Sequence, residues 1–428
     1  MNRTIGGKEM SSRKITRRQA IQGLAAAATA GAATSMGIRS AKASGPVQVV
    51  SHRYPALEHY AEAMKKAIPG VTVNAQLMPF DKAMELSRIA LSSKADTVDI
   101  LYMSDGHVGQ FAASGWIRPL NDLWDKFKSE YKLDDFVDQA VQRFTIDGKI
   151  YAVPHVINVM MLFYRKDLFD KAGKQPPKTM EEFVELAKFF NSPMRAGTAS
   201  CLKGLDGTLN EAHWYLHSIG DGWFDKQWKP IFNNEKGVKA IETMKEVGRY
   251  AQKGFTASGN DECMITLQQD AAAMALQWAT RAGAMDDPKK SRVIGNIEWV
   301  AAPGGGGKIT SDGYSISAFS KQDPETLFRI LATSSSQDTM RGAASMMVPP
   351  RRSLLDDPEL RTKNRYYPAA LEAVKVAVPN PALPEFSPAG EFITRRILQA
   401  VTGEMPVKQA LDLAASETEA FLKARGYY

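Results

Sequence analysis

His213 and His217 stand four residues apart in His213-Trp214-Tyr215-Leu216-His217, a spacing that puts both imidazoles on one helix face and can bind zinc. The metalloprotease pattern needs a glutamate after the first histidine, where this chain has Trp214. A packed or cleft-facing helix surface is the better account, so no metal ligand and no cofactor is assigned. Gly304-Gly305-Gly306-Gly307-Lys308 has the composition of a phosphate loop without its spacing, since Ile309 rather than Ser or Thr follows the lysine, and it reads as a turn. No G-x-S-x-G elbow, Cys-x-x-Cys pair or dinucleotide fingerprint occurs, and no carboxylate spacing selects an acid–base pair. The enzyme reading therefore lacks a positive local signal. Tyr54, Trp214, Tyr215, Trp278 and Tyr314 fall beside loops, glycines or polar side chains. Such rings pack on the apolar C–H face of a pyranose while Asp, Asn, Arg and His take its hydroxyls; core or lobe-interface packing is the other use of each tryptophan.

These side chains need a scaffold of some size. The chain has 428 residues, 44% hydrophobic and 24% charged, which excludes a disordered polymer and exceeds what one hydrophobic core supports, so two lobes are expected. The net charge of +7 comes from residues 1–43, which hold eight basic side chains and one acidic; the rest carries 46 of each sign. No basic footprint is left for nucleic acid. Residues 1–43 read as an export signal: Arg17-Arg18, an Ala-rich run from Ile21 to Gly37, and the small-residue site Ala41-Lys42-Ala43. The paired arginines resemble a twin-arginine leader, although Ala20 stands where a bulky apolar residue is usual. Export with cleavage near Ala43, to the periplasm, is expected. Cys201 and Cys263 could pair there or remain two buried thiols.

Val47–Val50, Val71–Leu77 and Val98–Tyr102 read as strands alternating with helices at Pro55–Ile68 and Lys82–Leu91, the pattern of a parallel α/β sheet covered on both faces. Ile150–Val153 and Val159–Tyr164 read as strands around Pro154, and residues 210–285 as mostly helical. Thr179 and Glu182 form a capping box for a helix from Met180. Trp299–Ala302 and Tyr314–Phe319 read as further strands.

Several stretches, in order, resemble the family 1 extracellular solute-binding proteins of carbohydrate ABC transporters, the maltose-binding type in the broad sense. Asp147-Gly148-Lys149-Ile150-Tyr151-Ala152-Val153-Pro154 is followed by Leu162-Phe163-Tyr164-Arg165-Lys166-Asp167-Leu168-Phe169 and Ala172-Gly173, with Ala152 replacing a glycine and Arg165 an asparagine of the family pattern. Asp312-Gly313-Tyr314, Pro349-Pro350-Arg351-Arg352-Ser353 and the closing Gly426-Tyr427 agree as well, so the likeness covers nearly all of residues 46–428.

The resemblance implies a two-lobed α/β periplasmic-binding-protein fold of type II-like character, with the ligand between the lobes: 44–153 plus 304–348 in one, 154–303 plus 349–428 in the other. It implies a monomeric receptor, not an enzyme, that delivers a sugar or sugar derivative to inner-membrane ABC permease subunits by hinge closure. Cleft positions carried over are His52, Arg53 and Tyr54 after the first strand, Ser104, Asp105 and His107 after the third, then Asn158, Trp214, Trp278, Tyr314 and Arg351. A guanidinium at 351 could fork onto two hydroxyls or pair with a carboxylate, sulfonate or phosphate, which makes an anionic sugar derivative an expectation; otherwise it braces the hinge against an acidic neighbour. The alternatives are a secreted lyase or hydrolase, or a receptor for a metal, polyamine or osmolyte.

Overall fold

The computed structural model describes residues 45–428; the expected export signal, its twin-arginine route and its cleavage near Ala43 lie outside the described residues. Apolar runs near the start build the first strands: β1 (Val47–His52), β2 (Val73–Met78) and β3 (Ile100–Ser104). β1 pairs in parallel with both others, helices Pro55–Lys65 and Phe80–Ser92 making the crossovers, as the alternation predicts. A short hairpin, β4 (Thr145–Ile146) and β5 (Lys149–Ile150), precedes β6 (Val153–Arg165), whose thirteen positions are all buried. β7 (Met274–Trp278), β8 (Ile297–Ala301), β9 (Lys308–Ile316) and the two-residue β10 (Val378–Pro379) follow.

The sheet runs β2-β1-β3-β9-β6-β7, with β10 on β9 and β8 on β6. It departs from the expected parallel sheet from β3 onward: β9 is antiparallel to β3 and β6, and β6 is antiparallel to β7 and β8. β6 is one continuous strand where two were expected around Pro154, because Pro154 sits at a register shift that needs no ladder donor. β9 begins at Lys308, well before the expected Tyr314, and β7 interrupts a stretch read as helical.

Buried side chains fall into a first core around β1–β3 and helix Pro324–Ser334, and a second around helices Met180–Phe190, Gly204–Ser218 and Phe386–Thr402. A third group lies along β6 with Cys201, Cys263, Tyr366 and Tyr367. β6 and β9 run between the lobes. Leu354 and Leu360, assigned by the expected division to the second lobe, pack in the first core, because Arg351 anchors their stretch there. Cys201 and Cys263 form a disulfide across 62 residues. The capping box on helix Met180–Phe190 is present as read.

Candidate functional site

Directly opposed residues of an antiparallel ladder share a face, and so do alternate residues of one strand. Tyr102 opposes Tyr314 and Ser104 opposes Asp312; Asn158 opposes Thr310 and Met160 opposes Trp278. One sheet face therefore carries a continuous row from the first lobe into the second, at the carboxyl ends of β1 and β3 where α/β sheets take their ligands.

Asp312 is the centre of the row. Its carboxylate accepts hydrogen bonds from Tyr54 Oη at 2.6 Å and Tyr102 Oη at 2.7 Å. Burial pushes its carboxyl up to about 6, against the pull of the two phenols. Tyr314 Oη and Ser51 Oγ are hydrogen-bonded at 2.8 Å. The His52 ring stands edge-on to Tyr54, Phe80 and Tyr102, and burial brings its imidazole down to about 4, with Arg281 adding to the effect.

Asp105 opens the helix Asp105–Ala113. Its Oδ2 accepts from Arg143 Nη1 and the Ser311 amide, both at 3.1 Å, while its buried Oδ1 has no partner among the described residues. Burial raises its carboxyl, with Arg143 opposing. Lys308, 6% exposed, donates to Asn210 Oδ1 at 2.7 Å; Asn210 and Asn260 in turn donate to Asp206 at 3.1 Å. Burial lowers the Lys308 ammonium while Asp206, Asp105 and Asp312 hold it up, so these four charges lie within reach of one another. After β7 come Thr280 and Arg281, the latter paired to Asp261 at 2.9 Å. Asn158 Oδ1, Thr280 Oγ1 and Arg281 Nε are buried and also lack partners among the described residues.

Among the residues read from sequence, the fold gathers His52, Tyr54, Ser104, Asp105, Asn158 and Tyr314 on or beside this row. Others go elsewhere. Arg53 points to solvent, its side chain 66% exposed and paired with Glu58. Trp214 is sealed in the second core, donating to Pro303 O at 2.8 Å, edge-on to Phe183. It packs against the glycine turn, where a Cβ on Gly306 would lie 2.6 Å from Trp214 O. Trp278 ends the row, with its ring packed in the second core. His107 Nε2 meets Ser387 Oγ at 3.2 Å. Arg351 is fully buried in the first lobe, holding Ser335 O and Lys132 O at 2.8 Å with its guanidinium over the Phe136 ring, and it faces no cleft. Its acidic neighbour is Asp135, 3.5 Å away. His213 and His217 do stack on one helix face, yet His213 is held by Val378 O and Trp223 Nε1. Sequence reading missed Tyr102, Lys308, Asn210, Asp206, Thr280 and Arg281. Asp312 stood in the quoted Asp312-Gly313-Tyr314 and Lys308 closed the quoted glycine run, but neither was read as a site residue.

Residues 51–334 match the family described as bacterial extracellular solute-binding protein, more than half of the chain. The chain belongs to that family. A mannitol-binding protein of Pseudomonas aeruginosa is 26% identical over 373 residues, covering 79% of this chain and 83% of the relative. The fold is shared with two solute-binding proteins of ABC transporters. One, from Agrobacterium radiobacter in complex with ribitol, has a TM-score of 0.80 at 23% identity, covering 88% of this chain and 99% of that one. The other, from Agrobacterium vitis with bound D-mannitol, also has a TM-score of 0.80 at 23% identity, covering 89% and 99%. These likenesses bear out the two-lobed α/β fold of a solute-binding protein. The family consists of binding proteins rather than enzymes.

Proposed function

We propose that this solute-binding protein is the periplasmic receptor of an ABC importer and that it captures a neutral polyol or small sugar between its lobes. The observation that carries the reading is the set of buried, unpaired polar atoms along the row, chiefly Asp105 Oδ1, Asn158 Oδ1 and Thr280 Oγ1. Buried polar atoms in proteins are nearly always bonded, so such a cluster marks a ligand position. Carboxylate and amide oxygens accept, and a hydroxyl-bearing solute donates; the anionic group of a sugar acid or sugar phosphate adds only further acceptors. Arg351, the guanidinium read as favouring an anionic sugar, is sealed in the first lobe, and the guanidinium beside the row, Arg281, is already paired with Asp261. The mannitol-binding relative and the ribitol and mannitol complexes support the polyol class.

Calorimetric titration of the purified protein with D-mannitol, ribitol, maltose and sugar acids tests this. Binding of a polyol, with sugar acids inert, is expected. Heat from the acids alone, or turnover of a sugar polymer, would sink the reading. Asp105→Asn keeps the shape but turns an acceptor into a donor. It is expected to weaken polyol binding by about 1.5–3 kcal/mol, roughly 10- to 150-fold. Unchanged affinity would remove Asp105 from the site.

Affinity is also expected to fall in acid. Closed lobes bury His52, which faces Arg281, Asp206 and Asp261, and His107, which faces Arg88, Lys308 and Ser387. The first imidazole is brought down to about 4 and the second to about 3, against 6.5 when hydrated, so below pH 6.5 closure expels protons. The stabilisation is complete above 6.5 and lost as pH falls. Asp312, titrating at about 6, takes up a proton and opposes the trend below that value. Between pH 7.5 and 6 the net loss is at most about tenfold, because first-lobe rings already cover part of His52. Titrations at the two pH values check it, and equal dissociation constants would refute it.

A further inference from the structure

A second contact between the lobes lies beside the row, on the helix that Asp105 opens. Helix Asp105–Ala113 belongs to the first lobe, with Val108 and Phe111 in the first core. The segment after β10 belongs to the second, with Leu383 and Phe386 in the second core. It is moored at its start by Val378 N to Gly307 O at 2.8 Å and by His213 Nε2 to Val378 O at 3.1 Å. From there it crosses the helix. A Cβ built on Gly106 would lie 2.9 Å from Asn380 Nδ2, and one on Gly109 would lie 3.4 Å from Pro384 Cγ. His107 Nε2 meets Ser387 Oγ between them in the same joint.

Neither glycine has a positive φ, so the backbone does not call for glycine at either position. Two glycines in a nine-residue helix weaken it relative to alanine. Their use here is to let the crossing segment approach the helix backbone. The joint is also under-bonded: His107 Nδ1, Gln110 Oε1 and Asn380 Oδ1 are buried without partners among the described residues. A joint of close steric fit and few hydrogen bonds is one that holds and can still part.

We propose that residues 380–387 form a latch that docks on the Gly106–Gly109 face of the helix when the lobes close, and that this docking sets how long the ligand is held. The proposal rests on the receptor reading above and assigns His107 to the latch in place of a ligand contact. Encounter takes place with the cleft open, so a latch acts on dissociation and leaves association alone.

Two measurements test it. Gly109→Val puts a branched side chain into the joint; in stopped-flow fluorescence with D-mannitol its dissociation rate is expected to rise about tenfold at an association rate within about threefold of wild type. An unchanged dissociation rate overturns the latch. The second needs no ligand. The Cβ built on Gly109 is 3.7 Å from Pro384 Cβ, the separation of a disulfide. In the double variant Gly109→Cys, Pro384→Cys, diamide is expected to oxidise the two thiols to an intramolecular bond, read as the loss of two hydrogens by mass. Thiols that stay free overturn the latch even if mannitol binds. If no polyol binds, the receptor reading fails, and the cross-link still decides the latch.

Discussion

Replacing Arg351 by alanine is expected to destabilise the protein by about 3–5 kcal/mol while leaving ligand affinity within about twofold of wild type. The side chain is completely buried, and its guanidinium satisfies Ser335 O, Lys132 O and, at 3.3 Å, Tyr131 O. Asp135 lies 3.5 Å away, and burial depresses the guanidinium less than it would without that charge. Truncation takes a donor from each of the three carbonyls, of which only Lys132 O keeps another partner (the Asp135 amide at 3.1 Å), removes the cation from the Phe136 ring and opens a void, and each of these raises the energy of the folded state. Arg351→Lys is expected to recover only part of the loss, because an ammonium cannot reach carbonyls from Tyr131, Lys132 and Ser335 in one fork. Guanidinium unfolding followed with calorimetric titration separates the two properties. A normal unfolding midpoint with lost binding would put Arg351 back in the cleft.

Removing the cross-link is expected to cost nearly as much. The Cys201–Cys263 bond closes a loop across 62 residues, for which chain entropy gives about 4 kcal/mol. Both cysteines are buried, so the double variant Cys201→Ala, Cys263→Ala is the suitable comparison. The bond ties the loop before helix Gly204–Ser218 to helix Asn260–Gln268, the two elements that bring Asn210 and Asn260 onto Asp206. Affinity should therefore fall along with stability. A midpoint equal to wild type would show that the unfolded chain is already restrained.

Much of the frame was legible because its determinants are local. Apolar runs set β1 and β3; Thr179 and Glu182 start their helix by bonds within four residues. The ordered motifs led to the family and, through it, to His52, Tyr54, Asp105, Asn158 and Tyr314. β9 was hidden by its composition. Lys308-Ile309-Thr310-Ser311-Asp312 reads as a loop, yet all its positions are buried because the strand lies inside the sheet between β3 and β6. Burial of polar side chains is a property of partners, and the partners of Asp312 are Tyr54 and Tyr102, more than two hundred residues earlier.

The sequence by itself determined a neutral body after a basic N-terminal stretch, two lobes, α/β alternation and a solute-binding family, since each follows from composition or from patterns a few residues long. Tertiary structure decided which polar side chains gather on the row proposed to take the ligand. Arg351 and Trp214 have the chemistry of sugar contacts, but the first found backbone carbonyls to satisfy and the second a core to fill. Lys308, Asp206 and Arg281 acquired their place only where chain segments distant in sequence meet, because the free energy of burying a charge depends on what surrounds it and nothing within reach along the chain records that.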